Sequence, residues 1–281
     1  MVVENLYRCP VEVGNHRVSA VGRISASDGT VITVPAETAA QSRLGPVAAD
    51  LYNDCRETMP ANAQVIEVDP DGEVITGYIV ADNYFELYVN GKLVAVDHTP
   101  YTPFNSAIIK FRAKRPVNYA FKLVDWEENL GLGTEMMRGD QWYPGDGGLI
   151  AKFSDGTVTD SSWKAQTFYI APLNRPEDVV EKPGNVHDTS ALGRVHPLAK
   201  KPECRDNCYA VHYDYPAGWQ GLKFDDSRWP RAVEYTDIEV GVTNLPAYTR
   251  YPELFQGAHW IWSSNLVFDN VVIARKTGAA K

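Results

Sequence analysis

The sequence has few cysteines, no excess of positive charge and no long apolar run, and each of these features marks a large class of proteins. Only four of its 281 residues are cysteines, and 27 Lys and Arg residues stand against 36 Asp and Glu residues, for a formal charge of −9. Phosphates need a basic surface, so we expect no nucleic-acid partner. No apolar run approaches the roughly 18 residues that cross a bilayer, so we expect no membrane span.

Signatures of common catalytic sites are also missing. The six histidines form no H-x-H or H-E-x-x-H motif, which gives a zinc or copper enzyme weak support. There is no G-x-S-x-G elbow, and the Gly-Leu-Gly at 131–133 lacks the rest of a phosphate loop. A glycosidase needs two carboxyls across a cleft, and the sequence does not single out a pair. We therefore predict no catalytic residue.

Turn-forming and aromatic residues are frequent, with 21 Gly, 18 Pro, 15 Tyr and 7 Trp. Short β-branched or aromatic runs bounded by turn residues predict strands. These runs are SAIIKF, VNYAFKLVDW, GGLIAKF, KAQTFYIA, residues 233–243, HWIW and NVVIARK. Long helical periodicity is absent, which argues against a parallel sheet flanked by helices. The prediction is an all-β protein, an antiparallel β-sandwich or jelly roll.

The clearest local signal is DNYFELYVNGKLVAVD at residues 82–97. Phe85, Leu87 and Val89 alternate with polar or aromatic residues, so one apolar face should lie on the core. Asn90-Gly91 fits a type I′ turn, which needs positive φ at both central residues. A two-residue turn would give the cross-strand pairs Val89–Lys92, Leu87–Val94 and Phe85–Val96.

The chain divides into two parts by composition. Residues 1–60 are predicted to form an N-terminal extension with a hairpin around residues 27–30 and a short Ala-rich helix. Residues 61–277 are predicted to form the β-sandwich. Within it, residues from about 172 to 230 are rich in Pro, Asp, Asn, Lys and Gly, and they predict a long irregular excursion.

An even number of cysteines permits two disulfides in three connectivities. We predict Cys9–Cys55 and Cys204–Cys208, with four unrelated thiols as the alternative. A zinc site is disfavoured because the close pair is not spaced as C-x-x-C. The opening MVVENLYRCPVEV lacks a basic region followed by an apolar run, which leaves a cytoplasmic protein or a mature chain without its leader. The cysteines favour the second, and hence a secreted, periplasmic or cell-surface protein.

Several phrases between residues 65 and 277 resemble those of galactose-binding-like jelly-roll domains, which accompany many glycoside hydrolases and cell-surface proteins. The phrases are DNYFELYVNGK (82–92), TDSSWK (159–164), FDDSRWP (224–230), GAHWIWS (257–263) and DNVVIARK (269–276). In that family such phrases mostly serve the fold, so we expect Trp163, Trp229, Trp260 and Trp262 to pack in the interior.

Carboxylates are densest at residues 125–148, where six glycines lie among them. Oxygen ligands on a flexible loop suit Ca²⁺, and the resemblance implies a structural Ca²⁺ of the kind such domains often carry. The alternative is a solvated acidic loop. The candidate ligands are Asp125, Glu127, Glu128, Asp140 and Asp146.

Sugar binding needs aromatic platforms beside polar groups. The candidates are Trp142 and Tyr143 in the acidic loop, and Tyr213, Tyr215 and Trp219 in VHYDYPAGWQG. The alternative for each is packing in the core or under a loop. The pair His212 and Asp214 could support a metal or a proton relay, although a surface histidine is the simpler interpretation.

Together these patterns predict a non-catalytic extracellular protein that binds carbohydrate or another polymer and holds a structural Ca²⁺. One alternative is a structural or self-assembling surface or filament subunit, for which the N-terminal segment could exchange between subunits. The other is a polysaccharide-active or metal-dependent enzyme on the same scaffold. A deep pocket lined by two or more acids or histidines would favour the enzyme.

Overall fold

A computed structural model of the chain shows a β-sandwich, which confirms the predicted all-β, antiparallel fold class. The galactose-binding-like, jelly-roll subtype stays a prediction. The structure describes residues 2–4, 22–25, 31–34, 64–82, 84–97, 105–125, 136–137, 140–141, 147–173, 175–192, 209–242 and 252–278.

Within these residues the strands form two large sheets and three two-stranded ones. The seven-stranded sheet has the order β1 (Val2–Glu4), β16 (Tyr209–His212), β13 (Lys164–Leu173), β19 (Asp269–Thr277), β9 (Asn118–Val124), β6 (Tyr84–Val89) and β7 (Lys92–Val96). The six-stranded sheet has the order β17 (Val233–Tyr235), β18 (Trp260–Trp262), β12 (Gly148–Phe153), β5 (Glu73–Asp82), β8 (Asn105–Ala113) and β4 (Ile66–Glu67). The small sheets are β2 (Gly22–Ser25) with β3 (Val31–Val34), β10 (Met136–Met137) with β11 (Asp140–Gln141), and β14 (Val180–Lys182) with β15 (Val186–Asp188). Neighbouring strands are antiparallel except for β4 and β8.

The core lies between the two large sheets. Phe153 of β12 contributes a ring whose centroid lies 4.1 Å from that of Tyr119 on β9, and it also packs near Phe121 and Phe111. Trp163, directly before β13, is fully buried, and its ring centroid lies 5.9 Å from that of Phe121. Interdigitated aromatic rings from both sheets therefore hold the sandwich together. No helix in the described residues is long and apolar enough to cross a membrane.

The β6–β7 hairpin has the predicted turn, with φ of 49° at Asn90 and 89° at Gly91. The predicted apolar face is fully buried, and Val89 pairs with Lys92 as expected. The other two predicted pairs are wrong, because Leu87 lies opposite Ala95 and Val96 lies opposite Glu86. Val94 is the extra residue of a β-bulge, which shifts the register by one beyond the turn.

A turn at residues 154–157 follows β12, with Gly156 at a φ of 94° and the Phe153 amide donating to the Thr157 carbonyl. The strand predicted over residues 233–243 is too long, because it ends at Tyr235. A one-turn helix α1 (Asp237–Val240) follows, and Thr236 and Glu239 form a capping box at its start.

Residues predicted as an excursion cover the outer face of the seven-stranded sheet. There β14 and β15 form a hairpin, flanked by the short 3₁₀ helices Pro176–Asp178 and Ser190–Leu192. Farther along, Trp219 packs edge-on against Tyr88, with ring centroids 5.1 Å apart. Both faces of β6 are consequently covered.

In the N-terminal extension, β2 and β3 pair antiparallel where the sequence predicts a hairpin. The predicted helix there lies outside the described residues.

Candidate ligand-binding cavity

A cavity of about 560 Å³ opens on the outer face of the seven-stranded sheet. Its walls come from β13, from the β14–β15 hairpin, from residues 213–216 after β16, and from the turn at residues 224–229. It is lined by Phe168, Glu181, Lys182, Gly184, Asn185, His187, Tyr213, Asp214, Tyr215, Pro216, Phe224, Asp225, Arg228 and Trp229. The volume falls within the roughly 300–1,000 Å³ of small-ligand sites.

Buried rings form the base of the cavity. Phe168 projects from β13 and lies edge-on to Trp229 and to His187, at centroid distances of 5.8 and 5.9 Å. All three side chains are buried. Because each ring is packed on its neighbours, the base of the cavity is rigid and largely apolar.

Tyr213 and His187 form one wall as a stacked pair, with ring centroids 3.4 Å apart and planes 11° apart. The Tyr213 hydroxyl donates to Glu181 Oε1 at 3.1 Å. Burial raises the pKa of Tyr213, and Glu181 raises it further, so the phenol stays protonated. Tyr213 is therefore fixed both by its ring and by its hydroxyl.

The Nδ1 atom of His187 has two polar neighbours. It lies 2.7 Å from the Thr167 carbonyl oxygen and 2.9 Å from Gln166 Nε2. Burial lowers the pKa of His187, and the imidazole is neutral at pH 7. Gln166 Nε2 donates to the Asn185 carbonyl at 2.9 Å. This bond ties the β14–β15 turn to β13.

Tyr215 supplies the second aromatic wall. Its ring is edge-on to Phe168, with centroids 5.3 Å apart, and Lys122 Nζ lies 5.6 Å from the ring centroid. The hydroxyl is buried and has no hydrogen-bond partner among the described residues. Burial, and then the charge of Glu86, raises its pKa.

The turn between β14 and β15 contributes the side chains of Lys182 and Asn185 to the rim of the cavity. Gly184 has a φ of 94°, and a Cβ there would lie 2.7 Å from Arg228 Cδ. Only glycine therefore lets the stem of Arg228 cross the turn closely. Lys182 Nζ forms an ion pair with Asp188 behind the turn.

The segment FDDSRWP, residues 224–230, forms the opposite side of the cavity. Phe224 packs edge-on against Trp229, with centroids 5.2 Å apart, and the guanidinium carbon of Arg275 lies 5.0 Å from the Phe224 ring centroid. Hydrogen bonds from Ser227 hold the pKa of Asp225 below its usual value. Asp225 is therefore a fixed carboxylate at the rim. The whole arrangement offers apolar surfaces inside and charged hydrogen-bonding groups at the mouth.

Two of the five predicted sugar platforms, Tyr213 and Tyr215, line this cavity. Trp219 is buried, and its carbonyl accepts a hydrogen bond from Arg275. Trp142 and Tyr143 lie outside the described residues. The tryptophans expected to pack are all buried, and Trp229 also lines the cavity.

The predicted metal ligands are only partly described. Asp125 is fully buried directly after β9, and Asp140 belongs to β11. Glu127, Glu128 and Asp146 lie outside the described residues, as do Cys9, Cys55, Cys204 and Cys208 of the predicted disulfides. Within the part of the chain that is described, no group of three or more His, Cys, Asp or Glu side chains could hold a metal ion.

Most of the cavity was not predicted from the sequence. Lys-Pro-Gly-Asn at 182–185 between Val180 and Val186 is a hairpin signal within the predicted excursion. It could have placed Glu181 and His187 on one short hairpin. Nothing local identifies Phe168 as the base of the cavity, because it sits in an ordinary strand pattern.

Comparison of the chain with models of known protein families, with curated proteins and with solved structures gives no match.

Proposed function

We propose that this protein is a non-catalytic carbohydrate-binding β-sandwich of the galactose-binding-like kind, and that the cavity beside Tyr213 is its binding site. The observation that supports the proposal is the cavity itself, in which aromatic rings alternate with charged and amide groups. Pyranose rings present apolar C–H faces and polar edges. Such a ligand suits walls of this mixed composition.

The polar groups at the rim favour binding over catalysis. Glu181 already accepts a hydrogen bond from the Tyr213 hydroxyl. Asp225 is a poor general acid because its pKa is lowered. His187 Nδ1 is already engaged with the Thr167 carbonyl oxygen and with Gln166 Nε2. These groups are arranged to make hydrogen bonds to a ligand that keeps its bonds intact.

One observation favours the polysaccharide-active enzyme as a second candidate. Glu181, Asp214, Asp225 and His187 all line the cavity. The test is incubation of the protein with candidate polysaccharides and measurement of new reducing ends. Product formation that Glu181→Gln abolishes would establish catalysis, whereas constant reducing ends over a long incubation would exclude it for those substrates.

The main test is a glycan array followed by calorimetric titration of the best ligand. Tyr213→Ala should weaken that ligand's affinity by about tenfold, since it removes one aromatic wall. Tyr78→Ala is the matched control, because Tyr78 is a half-buried tyrosine on β5 of the six-stranded sheet and packs on Phe255. Equal affinity of the two variants would reject the cavity as the site. Absence of binding across the array would reject carbohydrate binding.

A structural Ca²⁺ at the acidic loop is part of the same proposal. Its support is the position of Asp125, where β9 passes directly into the carboxylate-rich segment. The test is metal analysis of purified protein, with melting curves in the presence and absence of a chelator. No bound Ca²⁺ and an unchanged melting temperature would remove the cation from the proposal.

A further inference from the structure

Five ionised side chains line the cavity, and they differ in how their charge is compensated. They are Glu181, Lys182, Asp214, Asp225 and Arg228. Opposite charges in contact cancel much of each other's field, so the net field in the cavity depends on which side chains lack a counter-ion.

Both cations at the rim have a carboxylate close by. Lys182 is paired with Asp188, and against the effect of burial, hydrogen bonds from Lys182 and Ser190 lower the pKa of Asp188 to about 2. Arg228 lies close enough to Asp225 to lower the pKa of that carboxyl, after the larger effect of Ser227. Neither cation therefore makes the cavity positive.

The other two acids have no such partner. Among the described residues, no Lys or Arg nitrogen lies within 4.0 Å of the Glu181 or Asp214 carboxylate. Lys122, whose Nζ lies 5.6 Å from the Tyr215 ring centroid, is paired with Glu86 at 3.2 Å. Burial, together with the charge of the N-terminal amine, lowers the pKa of both His187 and His212, so the imidazoles add no positive charge at pH 7.

The aromatic walls act in the same direction as these carboxylates. Tyr213, Tyr215 and Phe224 are each partly exposed at the cavity. A cation placed over such a ring is attracted by the negative face of its π-system. Rings and carboxylates together therefore favour a positively charged group inside the cavity.

We infer that the preferred ligand is an amino-sugar oligosaccharide with free ammonium groups, bound with an ammonium near Glu181 and Asp214 and a sugar ring against Tyr213. This inference rests on the proposed carbohydrate-binding function and specifies its ligand class. The ammonium donates hydrogen bonds to the carboxylates, and the pyranose covers the aromatic wall.

The test compares oligosaccharides of equal length and linkage by calorimetry on the full chain. The probes are an oligomer of β-1,4-linked glucosamine, its fully N-acetylated counterpart, the corresponding glucose oligomer and an oligolysine of equal charge. At about pH 6 the amines are protonated. The glucosamine oligomer should bind about tenfold more tightly than the acetylated and glucose oligomers.

The possible outcomes separate the two proposals. If the neutral oligomers bind as tightly as the glucosamine oligomer, the amine preference is overturned and carbohydrate binding stands. If no oligosaccharide of any class binds, both proposals fail. If oligolysine binds as tightly as the glucosamine oligomer, the site recognises charge without the sugar, and the amino-sugar class is overturned.

Charge-removing variants locate the effect in the cavity. Glu181→Gln and Asp214→Asn should each reduce the preference for the free amine by about threefold. Glu181→Gln keeps an acceptor for the Tyr213 hydroxyl. Glu253→Gln, at an exposed acid of the Pro252–Phe255 helix, is the control and should leave the preference unchanged. Equal effects from all three variants would show that the protein's overall charge, and not the cavity, sets the preference.

Discussion

The imidazole of His187 backs the ring of Tyr213 at a centroid distance of 3.4 Å. His187→Ala should weaken ligand binding by about tenfold, because the unsupported tyrosine loses its fixed orientation. His187→Phe keeps an aromatic support and should lose much less affinity. Calorimetric titration measures both. His259→Ala, at an exposed histidine, is the control, and equal affinities of the alanine variants would contradict a supporting role for His187.

The ion pair between Lys122 and Glu86 lies beneath the excursion, and Tyr84 and Tyr88 also donate to the Glu86 carboxylate. Lys122→Met should lower the free energy of unfolding by about 3–5 kcal/mol, because a buried carboxylate loses its cation. Denaturant titration measures this loss.

The companion variant is the double substitution Glu86→Gln with Lys122→Met, which removes both charges and should recover a large part of the loss. Arg175→Met breaks the exposed pair with Asp178 and should leave the free energy of unfolding almost unchanged, because solvent screens such a pair. A Lys122→Met variant as stable as this control would contradict the prediction.

Arg275 is buried in β19 and its guanidinium reaches four acceptors. They are Asp226 Oδ2 at 2.8 Å, Asn118 Oδ1 at 3.1 Å, the Gly221 carbonyl at 3.2 Å and the Trp219 carbonyl. Arg275→Lys should cost on the order of 3 kcal/mol, since an ammonium cannot satisfy this spread of acceptors. The control is Arg231→Lys at an exposed arginine. The melting temperatures of both variants measure the loss, and an equal decrease for the two would contradict this anchoring role of Arg275.

Asp269 gives a pH dependence of defined sign. Burial raises its pKa from 3.8 to about 7, against the opposing hydrogen bonds from Ser263 and Thr189. Between pH 3.8 and about pH 7 the Asp269 carboxyl is protonated in the folded state and ionised in the unfolded state. The stabilisation from this group is therefore fully present below about pH 3.8 and is lost as the pH rises through 7.

Asp269→Asn should remove this contribution. The wild-type protein should lose stability relative to the variant by at most about 1.4 kcal/mol per pH unit between the two pKa values. Unfolding free energies of both proteins, measured from pH 4 to pH 7.5, give the difference directly. A difference that does not change with pH over that range would show that Asp269 is ionised throughout.

The sandwich was predictable because its strands carry local signals. Asn90-Gly91 and the alternation of Phe85, Leu87 and Val89 are sufficient to predict a hairpin with a buried face. The bulge at Val94 was not predictable in the same way, because packing across strands decides whether an extra residue is accommodated. The helix α1 did have a local signal, the Thr-x-x-Glu of Thr236 and Glu239, which was missed.

The cavity was much less predictable. Tyr213 and Tyr215 are recognisable as aromatics in a turn-rich segment, whereas Phe168 and Trp229 follow patterns that elsewhere mean core packing. His187 comes next to Tyr213 only because β15 and the segment after β16 lie together over β13. This contact depends on how separate segments pack together, and the periodicity of each segment does not predict it.

The cavity brings together four segments spread between residues 168 and 229. An occupant that touches all four would act as a non-covalent cross-link across the excursion. Saturating ligand should consequently raise the melting temperature and slow cleavage by added protease within this region. A thermal-shift screen of mixed glycans can therefore find ligands before any individual sugar has been chosen.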